Sequence, residues 1–101
     1  MIIYNITIKI QSAILSEWLA WLTAEHIPAI INTGCFTQSS ILQLLETDDS
    51  EGPTYAIQFH AESKAQYNRY VALFSREFQK KAKDKWGQQF VDFSSVMQVV
   101  N

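Results

Sequence analysis

The chain has 101 residues, of which 48% are hydrophobic, 13% aromatic and 18% charged, a balance typical of one globular domain over residues 1–101 rather than of a disordered or fibrous protein. Eight Lys and Arg against ten Asp and Glu give a net charge of −2, so we expect no general attraction to nucleic acid, and no apolar run approaches the ~20 residues of a membrane span. Cys35 is the only cysteine, which excludes an internal disulfide and favours a reducing, cytoplasmic location.

The first predicted elements are a strand and a helix. Apolar residues alternate from Ile2 to Ile10, the pattern of a strand with one buried face. Ser12 is the predicted N-cap of a helix with an apolar stripe. Pro28 disfavours helical geometry at the residue before it, so we expect a kink or restart near His26, and Gly34 should end the helical region.

A second strand is predicted from Phe36 to Glu46, with a less regular pattern. We expect one face of this strand to carry Leu42 and Leu44, and the other to carry Ile41, Gln43 and Leu45. Turn-forming residues at positions 48–53 then indicate a hairpin into a third strand, Thr54 to Ala61, which alternates again.

The last two predicted elements are a long helix and a strand. Ser63 is a suitable N-cap, Gly87 a suitable end, and Phe90 to Val100 reads as the final strand. The resulting order, β-α-β-β-α-β, predicts an α+β protein of the ferredoxin-like type, with a four-stranded antiparallel sheet and two helices on one face.

The other face of this predicted sheet mixes apolar and polar side chains. Ile3, Ile41 and Leu45 are expected there, beside the polar Asn5 and Gln58. The exposure of several large apolar side chains to water on one face is unfavourable. We therefore expect a homodimer in which two sheets face each other.

Several segments carry a resemblance to a known family. They are Met1–Thr7, Glu17–Leu22, His26–Pro28, Thr33–Phe36, Tyr55–Phe59 and Phe90–Phe93. Over nearly the whole chain the sequence resembles the bacterial family called domain of unknown function 4286. The resemblance implies a ferredoxin-like subunit of a dimeric α/β barrel, without an assigned activity. The spacing W-x-x-W-x-x-x-x-H-x-P is more distantly similar to barrels of the ethyl tert-butyl ether degradation type and to cofactor-free monooxygenases.

His26 is the first candidate functional residue. A histidine near the predicted kink could serve as a general base or bind a carbonyl group. Alternatively, it could fasten the helix end by a hydrogen bond to a backbone carbonyl. Glu25 borders the apolar stripe and could form an acid/base pair with His26, or could point to water. A ligand pocket between the first helix and the sheet would be lined by Trp18, Trp21, His26, Phe36 and Tyr55.

Other polar residues suggest weaker hypotheses. His60 lies on the polar face of its strand, where it could line a space between two subunits or join hydrogen bonds across an interface. Cys35 lacks a C-x-x-C partner and no H-x-x-x-H pair is present, so we expect no metal site, and without a glycine-rich loop we expect no phosphate-bearing cofactor. Residues 64–85 hold seven basic and two acidic side chains, expected to form a solvated helix back.

Three functions remain compatible with these residues. The chain could bind a small, partly apolar molecule between the first helix and the sheet. It could be a cofactor-independent monooxygenase or isomerase with His26 as general base. It could also be a structural or regulatory module without a pocket. A cavity of ligand size beside His26 distinguishes the first two functions from the third.

Overall fold

A four-stranded antiparallel sheet forms one layer of the protein. In the computed structural model, which describes residues 1–101, the strands are β1 (Ile2–Ile10), β2 (Gln38–Gln43), β3 (Thr54–Ala61) and β4 (Phe90–Gln98). Their order is β2-β3-β1-β4, and every neighbouring pair is antiparallel. This is the ferredoxin-like α+β arrangement, so the predicted fold is confirmed.

The first crossover contains four consecutive helical segments. These are a 3₁₀ turn (Ser12–Ile14), α1 (Leu15–Trp21), a π-helical turn (Leu22–His26) and α2 (Ile27–Ile31). The predicted interruption near His26 is therefore confirmed, and Gly34 follows with a φ of +79°. The predicted Ser12 cap is wrong, because the position before the 3₁₀ turn is Gln11 and no side chain caps it.

The second crossover contains two helices where the sequence predicts one. They are α3 (Lys64–Leu73) and α4 (Ser75–Trp86). The N-cap prediction is confirmed, since the Ser63 hydroxyl accepts a hydrogen bond from the Gln66 N–H at 3.3 Å. At Phe74 the backbone leaves helical geometry with φ −128°, and the ring lies 6.4 Å from that of Tyr70. None of the helices is both long and apolar enough to cross a bilayer.

The register of β2 corrects the predicted faces of this strand. Ile41 pairs with Ile57, which is buried beneath the helices, and Leu42 pairs with Ala56. Directly opposed residues of an antiparallel pair share a face. Ile41 therefore contacts the core, and Leu42 points to the open face. Leu45 lies beyond the end of the strand at 78% exposure, so the expectation that Ile41 and Leu45 occupy the open face is wrong.

The core between the sheet and the helices is rich in aromatic rings. Trp18 and Phe59 are almost completely buried. Phe36 lies with its ring centroid 4.8 Å from Tyr70 and 5.3 Å from Phe59, and Tyr55 lies 5.7 Å from Trp18. These contacts join both helical regions to the middle strands of the sheet.

The open face of the sheet carries a polar centre and apolar edges. The Asn5 side chain donates to the Thr7 hydroxyl at 3.1 Å and accepts from Gln58 at 3.3 Å. On the edge strand β4, the register places Val91, Phe93 and Met97 on this same face. Phe93 is 65% exposed and Leu42, on the opposite edge, 46%.

The loop between β2 and β3 approaches the end of β1 closely at Gly52. This glycine has a φ of +153°, and a Cβ atom there would lie 1.7 Å from the Ile10 carbonyl oxygen. Adjacent loop residues bond to the same segment, through Ile10 N–H to the Pro53 carbonyl at 3.1 Å. Any side chain at position 52 would therefore separate the loop from the sheet.

We expect Gly52→Ala to lower the free energy of unfolding by about 3 kcal/mol or more, because both backbone strain and a clash oppose alanine. Gly34→Ala is the matched control, since it also has a positive φ but its Cβ would meet nothing nearer than 4.0 Å. The free energy of unfolding of that variant should fall by about 1 kcal/mol. Urea unfolding of both variants measures the difference, and equal losses would contradict the close approach at Gly52.

Candidate functional site

The main cavity of the protein lies between the sheet and the helices. It has a volume of about 570 Å³, and β1, β4, α1, the π turn and α4 all contribute to its wall. Asp92 and Ser94 line it from β4, and both are exposed. Since β4 is an edge strand, the cavity is open at this edge. Volumes of 300–1,000 Å³ are typical of sites for small molecules.

The π turn positions His26 in this wall. Pro28 has no N–H group, and its ring would crowd the carbonyl of Ala24 in a regular α-helix. The helix instead forms a wider turn, in which Ile27 N–H donates to the Leu22 carbonyl, five residues earlier. The imidazole of His26 stacks on Trp21, with the ring centroids 4.3 Å apart and the planes at 24°.

Two aromatic rings contact the imidazole of His26. Besides stacking on Trp21, it meets the ring of Phe78 edge-on at 5.8 Å. The ring nitrogens make no hydrogen bond to another group of the protein. The structural hypothesis, in which His26 bonds a backbone carbonyl at the helix end, therefore finds no support, and the ring remains free to bond a ligand.

The electrostatic surroundings keep His26 neutral. Burial is the main cause that lowers the pKa of His26 to about 4, and the nearby Lys81 ammonium lowers it further. At neutral pH the imidazole therefore offers one N–H donor and one acceptor nitrogen. A general base acts best when its pKa lies near the working pH, so His26 is better suited to hydrogen bonding than to proton abstraction.

A second polar group lines the cavity from the sheet. Tyr4 lies on β1, and on the neighbouring strand β4 Asp92 lies opposite Ile8 and Ser94 opposite Ile6. Burial raises the pKa of the Tyr4 hydroxyl, and the charges of Tyr67 and Asp92 raise it further. Burial also raises the pKa of Asp92, while Lys83 opposes that change. Asp92 and Ser94 are exposed whereas Tyr4 is buried, and all three can form hydrogen bonds to a group in the cavity.

The helix α4 contributes a row of cations. Arg76, Lys80 and Lys83 line the cavity, and their spacing of three and four residues places them on one face of the helix. Lys80 forms an exposed ion pair with Asp84 at 2.7 Å. These three side chains are exposed, as expected for a solvated helix back, and they also border the cavity.

Three of the five side chains predicted to bind a ligand meet in the cavity, namely Trp18, Trp21 and His26. Phe36 and Tyr55 do not line it. Phe36 packs among Tyr4, Phe59 and Tyr70. Tyr55 packs against the ring of Trp18. Both rings thus belong to the core.

Glu25 is exposed and does not line the cavity, so the structure does not place it as an acid/base partner of His26. The expectation that Glu25 borders the apolar stripe assumes α-helical geometry, and residue 25 lies in the π turn.

The other residues that the sequence suggested as functional lie away from the cavity. His60 is on the open face of the sheet, opposite Ile3. Cys35 is buried, with its sulfur 3.6 Å from an Arg69 nitrogen. Histidine, cysteine and acidic side chains nowhere form a group of three that could hold a metal ion.

Sequence reasoning missed Tyr4, Tyr70, Asp92 and the lining residues of α4 as parts of the cavity. One signal was present in β4, where Asp92 and Ser94 occupy the positions that face the helices. Polar side chains on the face of a strand that turns toward the core are unusual, and a cavity open to solvent at this edge explains them.

The geometry defines a ferredoxin-like α+β domain with a cavity of about 570 Å³ between its sheet and helices. Over residues 1–100 the chain matches the family described as domain of unknown function (DUF4286), and it belongs to that family. No curated protein matches the sequence.

Solved structures share the whole fold at low sequence identity. A dimeric ferredoxin-like protein from an uncultured marine organism has a TM-score of 0.71 at 17% identity, covering 100% of this chain and 96% of its own. A second such protein, also from an uncultured marine organism, has a TM-score of 0.71 at 9% identity, with 99% and 95% covered. An ethyl tert-butyl ether degradation family protein from Bacillus halodurans C-125 has a TM-score of 0.66 at 9% identity, with 99% and 100% covered.

The low pKa of His26 has a measurable effect on stability. Because the unfolded chain binds a proton at the ordinary pKa of 6.5 and the folded protein only near 4, stability must fall as the pH drops through this range. Between pH 7 and pH 4.5 we expect the free energy of unfolding to fall by on the order of 2 kcal/mol more in the wild type than in His26→Phe. The phenylalanine keeps an aromatic ring stacked on Trp21. Urea unfolding at both pH values tests this, and identical losses would contradict a buried neutral imidazole.

Proposed function

We propose that the protein binds a small, partly apolar molecule in the cavity between its first helical region and the sheet. The observation that carries the proposal is the ligand-sized cavity beside His26, whose imidazole is held by Trp21 and Phe78 and has no hydrogen-bond partner in the protein. A polar group on an apolar wall fixes the orientation of a ligand. Trp18 and Trp21 supply part of that wall.

The two alternative functions have less support. A structural or regulatory module needs no pocket, whereas about 570 Å³ of open volume lies beside His26. A monooxygenase or isomerase with His26 as its base needs a group that accepts protons at the working pH. The pKa of about 4 makes His26 a weak proton acceptor. Binding without chemistry at His26 is therefore the function that the geometry supports best.

Filling the cavity tests the binding proposal. Ala82 lines the cavity from α4, so Ala82→Trp should occupy the space that a ligand would take. We expect the fluorescent probe N-phenyl-1-naphthylamine to bind the wild type and to bind Ala82→Trp at least about tenfold more weakly, the equivalent of losing roughly 1.4 kcal/mol of apolar contact.

Ala65→Trp is the matched control, because Ala65 is exposed on α3 and does not line the cavity. It should bind the probe as the wild type does. Failure of the wild type to bind, or equal binding by all three proteins, would overturn the proposed function.

We further propose that two copies of the chain associate through their open sheet faces. The apolar side chains at the edges of this face support the proposal, with Phe93 at 65% and Val91 at 67% exposure. The two marine structures of the same fold are described as dimeric. A specific dimer of this kind should bury about 1,200 Å² or more in total.

Phe93→Lys should weaken the dimer, since it places a charge in the apolar part of the face. Leu45→Lys is the control, because Leu45 lies outside the strands and should leave association unchanged. Sedimentation equilibrium at micromolar concentration measures the mass. A wild-type mass of 11.6 kDa, or equal association of both variants, would contradict the proposed interface.

A further inference from the structure

The charged side chains around the cavity are unequal in sign. Arg76, Lys80 and Lys83 are basic, and Asp92 is the only acidic residue of the lining. His26 is neutral at pH 7 because of its lowered pKa. The lining therefore carries an excess of positive charge, although the whole chain has a net charge of −2.

Two of these cations lack a partner in an ion pair. The two ion pairs of the protein join Lys80 to Asp84 and Lys81 to Glu77. Arg76 forms neither an ion pair nor a side-chain hydrogen bond. The Lys83 ammonium lies over the Phe90 ring, 5.6 Å from its centroid, and its charge acts on the carboxyl group of Asp92.

Another part of the lining is apolar. There the neutral His26 ring contacts both Trp21 and Phe78. Low-dielectric walls strengthen the field of charges at the mouth of a cleft. A wholly apolar ligand would leave the Arg76 guanidinium without a counter-charge, and a small hydrated anion would leave the aromatic wall in contact with water.

We propose that the natural ligand is an amphipathic carboxylate, whose apolar body lies against Trp21, His26 and Phe78 and whose carboxylate lies between Arg76 and Lys83. The guanidinium of Arg76 matches a carboxylate in two parallel hydrogen bonds. Lys83 adds a second positive charge, which also balances Asp92. This inference rests on the proposed binding function and specifies the chemistry of the ligand.

Displacement of a bound neutral probe separates the two proposals. With N-phenyl-1-naphthylamine in the cavity, 2-naphthoate and 2-naphthamide are added as competitors that share a ring system and differ in charge. We expect the carboxylate to displace the probe at about fivefold lower concentration than the amide, the factor that corresponds to one partly exposed ion pair. Added salt should reduce this advantage, because it screens exposed charges.

Arg76→Gln should remove most of the advantage of the carboxylate over the amide, a ratio that is measured within each variant and so does not depend on its affinity for the probe. Lys85→Gln is the matched control, since it removes one positive charge from the same helix at a position that does not line the cavity. Lys83→Gln should act as Arg76→Gln does, and it provides the same readout if the first variant does not fold.

Equal displacement by acid and amide in the wild type would overturn the carboxylate proposal and leave the binding function standing. So would an unchanged carboxylate advantage in both Arg76→Gln and Lys83→Gln. Absence of probe binding to the wild type would instead overturn the binding function, and the carboxylate proposal with it.

Discussion

The site depends on one missing hydrogen-bond donor, the absent amide proton of Pro28. In a regular α-helix, residues five apart lie about 140° from each other around the axis, so Trp21 and His26 could not stack. The hydrogen bond from Ile27 to Leu22 spans five residues and brings the two rings within 4.3 Å. The wider turn that the proline causes therefore fixes the position of the His26 imidazole on Trp21.

The packing of this imidazole also explains why His26 is neutral. Stacking on Trp21 and contact with Phe78 exclude water from most of the ring, and a charged imidazole loses more solvation there than a neutral one. The positive charge of Lys81 acts in the same direction. The feature that orients the ring and the feature that sets its protonation state are therefore the same aromatic contacts.

Most of the fold could be predicted because its signals are local. The alternation in β1 and β3, the Ser63 cap and the interruption before Pro28 each depend on residues close together in sequence, and each is confirmed. The faces of β2 could not be predicted in this way. Ile41 and Leu42 are both apolar, so only the pairing of Ile41 with Ile57 determines which of them meets the core.

The candidate site was less predictable because it also depends on contacts between residues that are distant in sequence. Trp18, Trp21 and His26 lie in one crossover and could be grouped from their spacing. Asp92 and Arg76 approach them only because β4 pairs with β1 and α4 crosses the sheet beside that pair. Long-range contacts of this kind leave little trace in a single sequence.

The aromatic and the basic parts of the cavity lining have different properties, and neither part alone defines the proposed ligand. The aromatic part disfavours charge, because burial there lowers the pKa of His26. The cations of α4 are exposed, so an ion pair with them would contribute little affinity without apolar contacts to add to it. For the proposed carboxylate, affinity would then come from the apolar body and discrimination from the cations, a division that requires one molecule to reach both parts.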